Sequence, residues 1–306
     1  MSKTLFNNEN NIRIDRFLRR HFKFLPQGIL EKDIRNGKIK VNGKKLNAAN
    51  FRLNDGDSVE IFSDFETYNQ APKTSVHAAL TQEDRRFIEE SIIFEDDEIC
   101  LFNKPYNLAV QGGTDTKRHL DGMLSLYKKG TSYKLVHRLD KDTSGILLLA
   151  KRPDVAHFLS DLFKTKEIQK KYIAVVHGHV RSFEGVIDLP LLKDFRGNKE
   201  IIVVSPNGRE AITEYTVLFK NKEYSVLLLK PITGRTHQLR VHLSHVGHPI
   251  VGDFKYGSTA ERGTRMHLHA KSITFPYGPR KYISTFEAPI PEDGLFKVFA
   301  RHIVDK

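Results

Sequence analysis

Apolar positions along this chain fall into short runs whose period changes, and those changes divide it into elements. From Arg13, the residues Ile14, Phe17 and Leu18 recur at helical spacing, and Leu25-Pro26 closes the segment. At about 100° per residue, Arg13, Arg16, Arg20 and Lys23 fall within an arc of roughly 80° on the opposite side, so one face packs and the other is cationic. A second short helix is predicted around Ile29 to Ile34, stopping at Asn36-Gly37, because glycine accepts the left-handed conformation that ends helices. In KIKVNGKKL, Asn42-Gly43 separates two strand-like runs and signals a tight hairpin. The alternating run Ser58-Val59-Glu60-Ile61 follows Asp55-Gly56 as another strand. Residues 63–81 are polar and irregular around Ala71-Pro72-Lys73-Thr74-Ser75 and read as a linker, and Thr81 with Asp84 forms a capping-box pattern that starts a further helix.

The remainder carries longer apolar runs. SIIFEDDEICLFNKP gives a strand, a turn at Asp96-Asp97 and a second strand ending at Lys104-Pro105. HRLDKDTSGILLLAK passes from a dense polar cluster into Ile146-Leu147-Leu148-Leu149, which sets polar side chains at the edge of a buried sheet. LLLKPITGRTHQLRVHLSHVGHP predicts a strand to Lys230, a turn, and a helix entered near Thr236 and stopped near Gly247.

Composition narrows the function. A chain of 306 residues with 39% hydrophobic content buries a substantial core and suits about two domains. The formal net charge of +12 attracts polyanions, of which RNA, DNA and anionic membranes are the candidates. No stretch approaches the roughly 18 consecutive apolar residues of a membrane span, and the first residues lack the apolar core of a secretory signal. A soluble, cytoplasmic protein is expected. Cys100 is the one cysteine, so no intrachain disulfide forms, and its strand-like setting predicts a buried, inert thiol.

The polar clusters supply candidate chemistry. Asp140 could attack an electrophilic carbon if ionised, positioned and sheltered from water, and Arg240 on the later helix could hold that carboxylate through a two-pronged pair. A bland alternative is an aspartate that orders its own turn through local backbone hydrogen bonds. Asp140 and Asp142 in one turn also suit a glycosidase, whose paired carboxyls lie about 5 to 10 Å apart, a geometry that sequence spacing leaves open. His237, His242, His245 and His248 have helical spacing that metal ligands can use, but no cysteine pair or HExxH-type arrangement accompanies them, so no metal is expected.

Two sets of motifs resemble known families. Asn11 to Phe62, through RIDRFLRRHF, DIRNGKIKVNGKKL and LNDGDSVEIF, is similar to the S4 domain, a small module that implies recognition of structured RNA through phosphate and shape. HRLDKDTSGILLLAK resembles the signature of the RluA family of pseudouridine synthases. Supporting blocks occur in the same order: NKPYNLAVQGG, KKYIAVVHG, KPITGRTHQLRVHLSHVGHPIVGDFKYG and LHAKSITF, over nearly all of residues 88–290. The resemblance implies an α+β architecture: an S4 module at 11–62, the linker at 63–81, and a catalytic domain at 82–306 built on a long, mainly antiparallel mixed sheet.

The same resemblance implies Asp140 as nucleophile, Arg240 as its salt-bridge partner, and Tyr172 as the residue that stacks on the target base or serves as a general base. Leu268 would pack near the aspartate and the substrate ring, and Arg138 would fill the space left by the flipped nucleotide. His137 and Lys104 join them as substrate-contacting candidates. In the S4 module, Arg13, Arg16, Arg20, Lys23, Arg35, Lys38 and Lys44 are the candidate RNA contacts. No cofactor is expected, since isomerising uridine exchanges no atoms.

The wording is closest to the RluC type, which implies 23S ribosomal RNA; the RluD type, a tRNA target, a noncatalytic assembly protein and a metal-dependent nuclease are the competing readings, and a monomer is expected. Tyr106-Asn107 departs from the family's usual small residue plus glycine, and Gln111 stands where histidine often precedes the glycine pair, here Gly112-Gly113. Asparagine tolerates positive φ, so the turn is expected to survive.

Overall fold

The computed structural model describes residues 3–46, 48–69, 80–112, 118–128, 130–197, 199–257, 263–278 and 281–303. Two compact units divide the chain, Met1–Ala78 and Ala79–Lys306.

The first unit begins with β1 (Lys3–Phe6), which precedes the segment legible as S4-like, followed by β2 (Ile12–Arg13), α1 (Ile14–His21), α2 (Gln27–Arg35), β3 (Ile39–Val41), β4 (Lys44–Lys45), β5 (Arg52–Leu53) and β6 (Ser58–Ile61). Its main sheet has the order β1-β6-β3-β4, with antiparallel pairing throughout, and β2 pairs β5. Ile14, Phe17 and Leu18 bury the predicted face of α1. α2 ends at Asn36, and Gly37 takes φ +70°. Asn42 and Gly43 both have positive φ between the paired residues Val41 and Lys44, the backbone of a two-residue hairpin turn.

The expected linker starts too early. Phe65 is buried and packs its ring 5.5 Å from Phe22, and the Phe24 N–H donates to the Tyr68 carbonyl at 3.0 Å, so Phe65 and Tyr68 belong to this unit and not to a linker. The polar composition hid two aromatic anchors. The linker centre Ala71–Ser75 lies outside the described residues.

The second unit opens at Thr81. Its hydroxyl accepts the Asp84 N–H at 3.0 Å, while Asp84 accepts the Thr81 N–H at 3.4 Å, capping α3 (Gln82–Ser91). The chain continues through β7 (Ile92–Glu95), β8 (Ile99–Lys104), α4 (Leu120–Tyr127), β9 (Lys134–Leu135), β10 (Ser144–Ala150), α5 (Pro153–Lys164), β11 (Gln169–His177) and β12 (Glu184–Asp188). The hairpin β13 (Leu191–Arg196) and β14 (Lys199–Val204) follows, then β15 (Ile212–Lys220), β16 (Tyr224–Pro231), α6 (Gln238–His245), β17 (Leu268–Tyr277) and β18 (Tyr282–Glu287).

A ten-stranded sheet runs β12-β15-β16-β11-β17-β10-β8-β7, with β18 beside β17 and β9 beside β10. Every strand pair in it is antiparallel except β10 with β17. The fold is therefore α+β on a mainly antiparallel mixed sheet, as the resemblance implied. β10 is buried along its whole length, which explains its unbroken apolar run. Cys100 lies buried on β8, where burial pushes its thiol up to about 12, an inert setting. No helix among the described residues is long and apolar enough to cross a membrane.

The parallel contact sets the positions of the candidate residues. Gly145 has φ +109°, and a Cβ there would meet the Ala270 carbonyl oxygen at 2.2 Å, so only glycine lets β10 approach β17 this closely. That approach registers Ser144 with His269 and Gly145 with Ala270, and brings Leu268 up to the turn carrying Asp140. On the other edge of β17, Ala270 pairs Tyr172 of β11, and Tyr172 pairs Leu229 of β16, the strand that leads into α6.

Candidate active site

Asp140, Arg138, Tyr172, Arg240, Leu268 and His137 all line one cleft of about 900 Å³. Residues from four distant stretches of chain meet there because β10, β11, β16 and β17 lie side by side.

Asp140 begins a turn in which its backbone carbonyl, not its carboxylate, accepts the Thr143 N–H at 3.2 Å. Among the described residues the carboxylate makes no local backbone hydrogen bond, which disposes of the turn-ordering alternative. Its neighbours are Arg240 Nη1 at 3.5 Å and His237 Nε2 at 3.8 Å, both facing Oδ2, and its side chain is 28% exposed.

The two-pronged pair expected between Arg240 and Asp140 is made instead with Asp253. Arg240 Nε and Nη2 donate to the two Asp253 oxygens at 2.7 and 2.8 Å. Burial works against the charge on Arg240, but the Asp253 hydrogen bonds and charge outweigh it, and the guanidinium is held above its ordinary range. Asp253 Oδ1 also accepts the N–H groups of Lys255 and Tyr256 at 3.1 and 3.2 Å, so the carboxylate is fixed before it meets the arginine. Arg240 additionally lies over the Tyr256 ring, 5.1 Å from its centre. The result is a preorganised cation whose third nitrogen remains for Asp140.

Burial first, and the charge of Asp140 second, push the Tyr172 pKa up from the ordinary tyrosine value. The residue lines the cleft. Leu268 is buried at the start of β17 and supplies an apolar wall. Arg138 is exposed at the cleft.

Two expected substrate contacts are occupied with the protein itself. Lys104 is fully buried, and its Nζ donates to the carbonyls of Pro105, Leu108 and Lys141 at 2.8, 2.9 and 3.0 Å. Burial lowers its pKa to about 7, opposed by Asp142 and Asp140. Its donors tie the loop after β8 to the residue following Asp140, so Lys104 supports the turn and does not face the cleft. His137 lines the cleft, but its Nε2 accepts the Leu148 N–H at 2.9 Å, and burial pushes its pKa down to about 3, so it is a neutral structural acceptor.

Asp253, Tyr256 and His237 escaped the sequence reading as site residues. Asp253 sits in the run GDFKYG, whose composition signals only a turn, and its hydrogen bonds to residues 255 and 256 are of that kind. His237 was grouped with three other histidines by spacing. Among the described residues no three His, Cys, Asp or Glu side chains converge as metal ligands would. His242 and His248 each hydrogen-bond a backbone carbonyl.

Nearby, Asn107 does take positive φ, +61°, so the turn after β8 tolerates the departure from glycine. Gly113 lies outside the described residues. In the first unit, Arg16, Lys23, Arg35 and Lys44 are exposed. The cationic arc of α1 is partly neutralised: Arg13 forks onto Asp15, and Arg20 pairs with Glu9. Lys38 lies 3.8 Å from Asp33.

The sequence pattern of the RNA pseudouridylate synthase family matches residues 98–245, and that of the S4 domain matches residues 12–59. Ribosomal large subunit pseudouridine synthase C of Buchnera aphidicola subsp. Baizongia pistaciae is 36% identical to this chain over 307 residues, covering 97% of it and 95% of the relative. The protein of the same name from Escherichia coli K12 is 34% identical over 295 residues, covering 92% and 90%. Among solved structures, Human RNA Pseudouridylate Synthase Domain Containing 4 superposes with a TM-score of 0.59 at 28% identity, covering 72% of this chain and 95% of that one. Likeness at this level across nearly the whole length, together with both patterns, decides the matter: the protein belongs to the RNA pseudouridylate synthase family and carries an S4 domain toward its amino end.

Proposed function

We propose that this protein isomerises uridine to pseudouridine in 23S ribosomal RNA, with Asp140 as the nucleophile. The observation that carries the reading is the Asp140 carboxylate, which among the described residues has no backbone partner, held at one oxygen by a guanidinium that Asp253 has already fixed. The names of the relatives support the ribosomal target.

The target nucleotide leaves its stack at a cost of a few kcal/mol, which contacts in the cleft offset. Tyr172 and Leu268 wall the extruded uracil, Arg138 takes the space it vacates, and Lys164, Lys166 and Lys170 along the cleft meet phosphates. The bond from ribose C1′ to uracil N1 breaks, the base rotates, and C5 bonds to C1′; C5 releases its proton and N1 takes one up, so the composition is unchanged and no redox partner is needed. Asp140 serves either by attacking C1′ or by drawing a proton from the sugar. The catalytic candidates that line the cleft all come from one chain, which suits a monomer; a ribosomal RNA target suits the cytoplasm.

Mapping pseudouridines in ribosomal and transfer RNA from cells lacking the protein tests the target. Loss at one or a few 23S positions is expected, with tRNA unchanged; loss confined to tRNA rejects the ribosomal assignment. Deleting residues 1–78, the whole first unit, is expected to weaken affinity for ribosomal RNA by about tenfold and to flatten its salt dependence, because cationic contacts release counterions. Filter binding across a salt series gives the answer, and an unchanged slope removes the S4 unit from RNA recognition.

A further inference from the structure

His237 enters α6 with φ +54°, a left-handed conformation that side chains rarely adopt, and its ring meets Tyr256 edge-on with centres 5.4 Å apart. Nδ1 lies 2.6 Å from the Tyr256 hydroxyl oxygen. That oxygen already accepts the Ile202 N–H at 3.2 Å. A phenol oxygen has one favourable in-plane acceptor direction beside its own proton, so with that direction taken by Ile202 the proton turns toward Nδ1. Burial above all raises the Tyr256 pKa, which keeps the proton in place to donate. With Nδ1 accepting, a neutral imidazole carries its hydrogen on Nε2. Nε2 faces Asp140 Oδ2 at 3.8 Å, and the same oxygen faces Arg240 Nη1 at 3.5 Å. No donor among the described residues reaches Oδ1.

We infer that His237 is a positioning residue for Asp140: fixed by Tyr256 as the Nε2–H tautomer, it aims that hydrogen at Oδ2 across a 3.8 Å gap that closes on substrate binding, beside Arg240, and leaves Oδ1 as the oxygen that meets the ribose. The inference rests on the synthase reading and adds to it a residue and the choice of oxygen. Burial keeps the ring neutral, pushing its pKa down to about 4 against the opposing pull of Asp140. Neutrality matters, because a second cation on the carboxylate would stabilise it further and blunt its attack, whereas a neutral N–H gives direction at less cost. Through Ile202 on β14, the hydrogen bonds to Tyr256 and from Tyr256 to His237 link the β13–β14 hairpin to the imidazole that faces the carboxylate.

The tautomer can be read without turnover. Protein labelled with nitrogen-15 histidine, with the His237 ring assigned by its loss in His237→Gln, is expected to show the hydrogen on Nε2 at pH 7. Hydrogen on Nδ1 overturns the inference. In single-turnover assays on ribosomal RNA, His237→Ala is expected to lower the rate about 100-fold with affinity unchanged. His237→Gln, whose amide N–H substitutes for Nε2–H, is expected to recover to within about tenfold of the parent. Tyr256→Phe frees Nδ1 to take a proton, so an acidic limb appears in its rate profile above pH 5. A His237→Ala rate equal to the parent's, or no recovery with glutamine, also overturns the inference. Should the parent protein form no pseudouridine, the synthase reading fails, while the tautomer spectrum still decides the geometry at His237.

Discussion

Asp140→Asn is expected to cut pseudouridine formation by at least about 10³-fold while leaving both RNA affinity and the fold in place. The rate falls because an amide keeps the size of the carboxylate but has no anionic oxygen to attack C1′ or take a proton. The fold survives for a reason specific to this site. Arg240 has its two-pronged partner in Asp253, so neutralising residue 140 strands no buried charge, and the side chain lost is the more exposed of the two carboxylates, 28% against 1%. Release of tritium from RNA labelled at uridine C5 measures the rate, filter binding the affinity, and urea unfolding the stability. Turnover near the parent's would end the nucleophile assignment. Unfolding by this substitution would show that Asp140 serves the structure.

How much of this was legible in the sequence depended on the distance over which each feature is decided. The α1 stripe, the Asn42-Gly43 turn and the Thr81 cap are settled within a few residues, and the pattern there predicts what forms. The linker boundary failed because Phe65 and Tyr68 are anchored by Phe22 and Phe24, partners some forty residues away in a segment otherwise polar. The β10–β17 contact had no local signal beyond a glycine, since its need for Gly145 arises from the Ala270 backbone. Lys104, a substrate-contact candidate, sits fully buried, which lysines seldom do, because three carbonyls from two loops take its donors. The family motif brought Arg240 to the right cleft, yet the choice between two carboxylates for its fork is made by tertiary geometry: Asp253 is already held by the amides of residues 255 and 256, and Asp140 is not.

That division of labour makes Asp253 the more damaging residue to change. Asp253→Ala is expected to destabilise the second unit by about 3–5 kcal/mol, because the guanidinium left behind is buried, 5% exposed, and among the described residues keeps one carboxylate, Asp140 at 3.5 Å. The released arginine then has one carboxylate within reach. It is expected to turn its fork onto Asp140, drawing both oxygens into the pair and removing the one that serves the ribose, so the folded fraction also loses activity, by about 100-fold. Asp253→Asn separates the two effects, since it keeps the shape and one acceptor for Arg240 but not the charge; its loss of stability should be smaller and its loss of rate similar. Urea unfolding of both variants, with activity assayed well below their melting points, gives the comparison. A double variant with Asp140→Asn sharpens it, because two sites sharing one guanidinium cannot be independent, and the combined loss of stability should exceed the sum as Arg240 loses its second carboxylate. Strict additivity would mean that Arg240 does not couple the two carboxylates, and that Asp140 keeps its place in the cleft by other means.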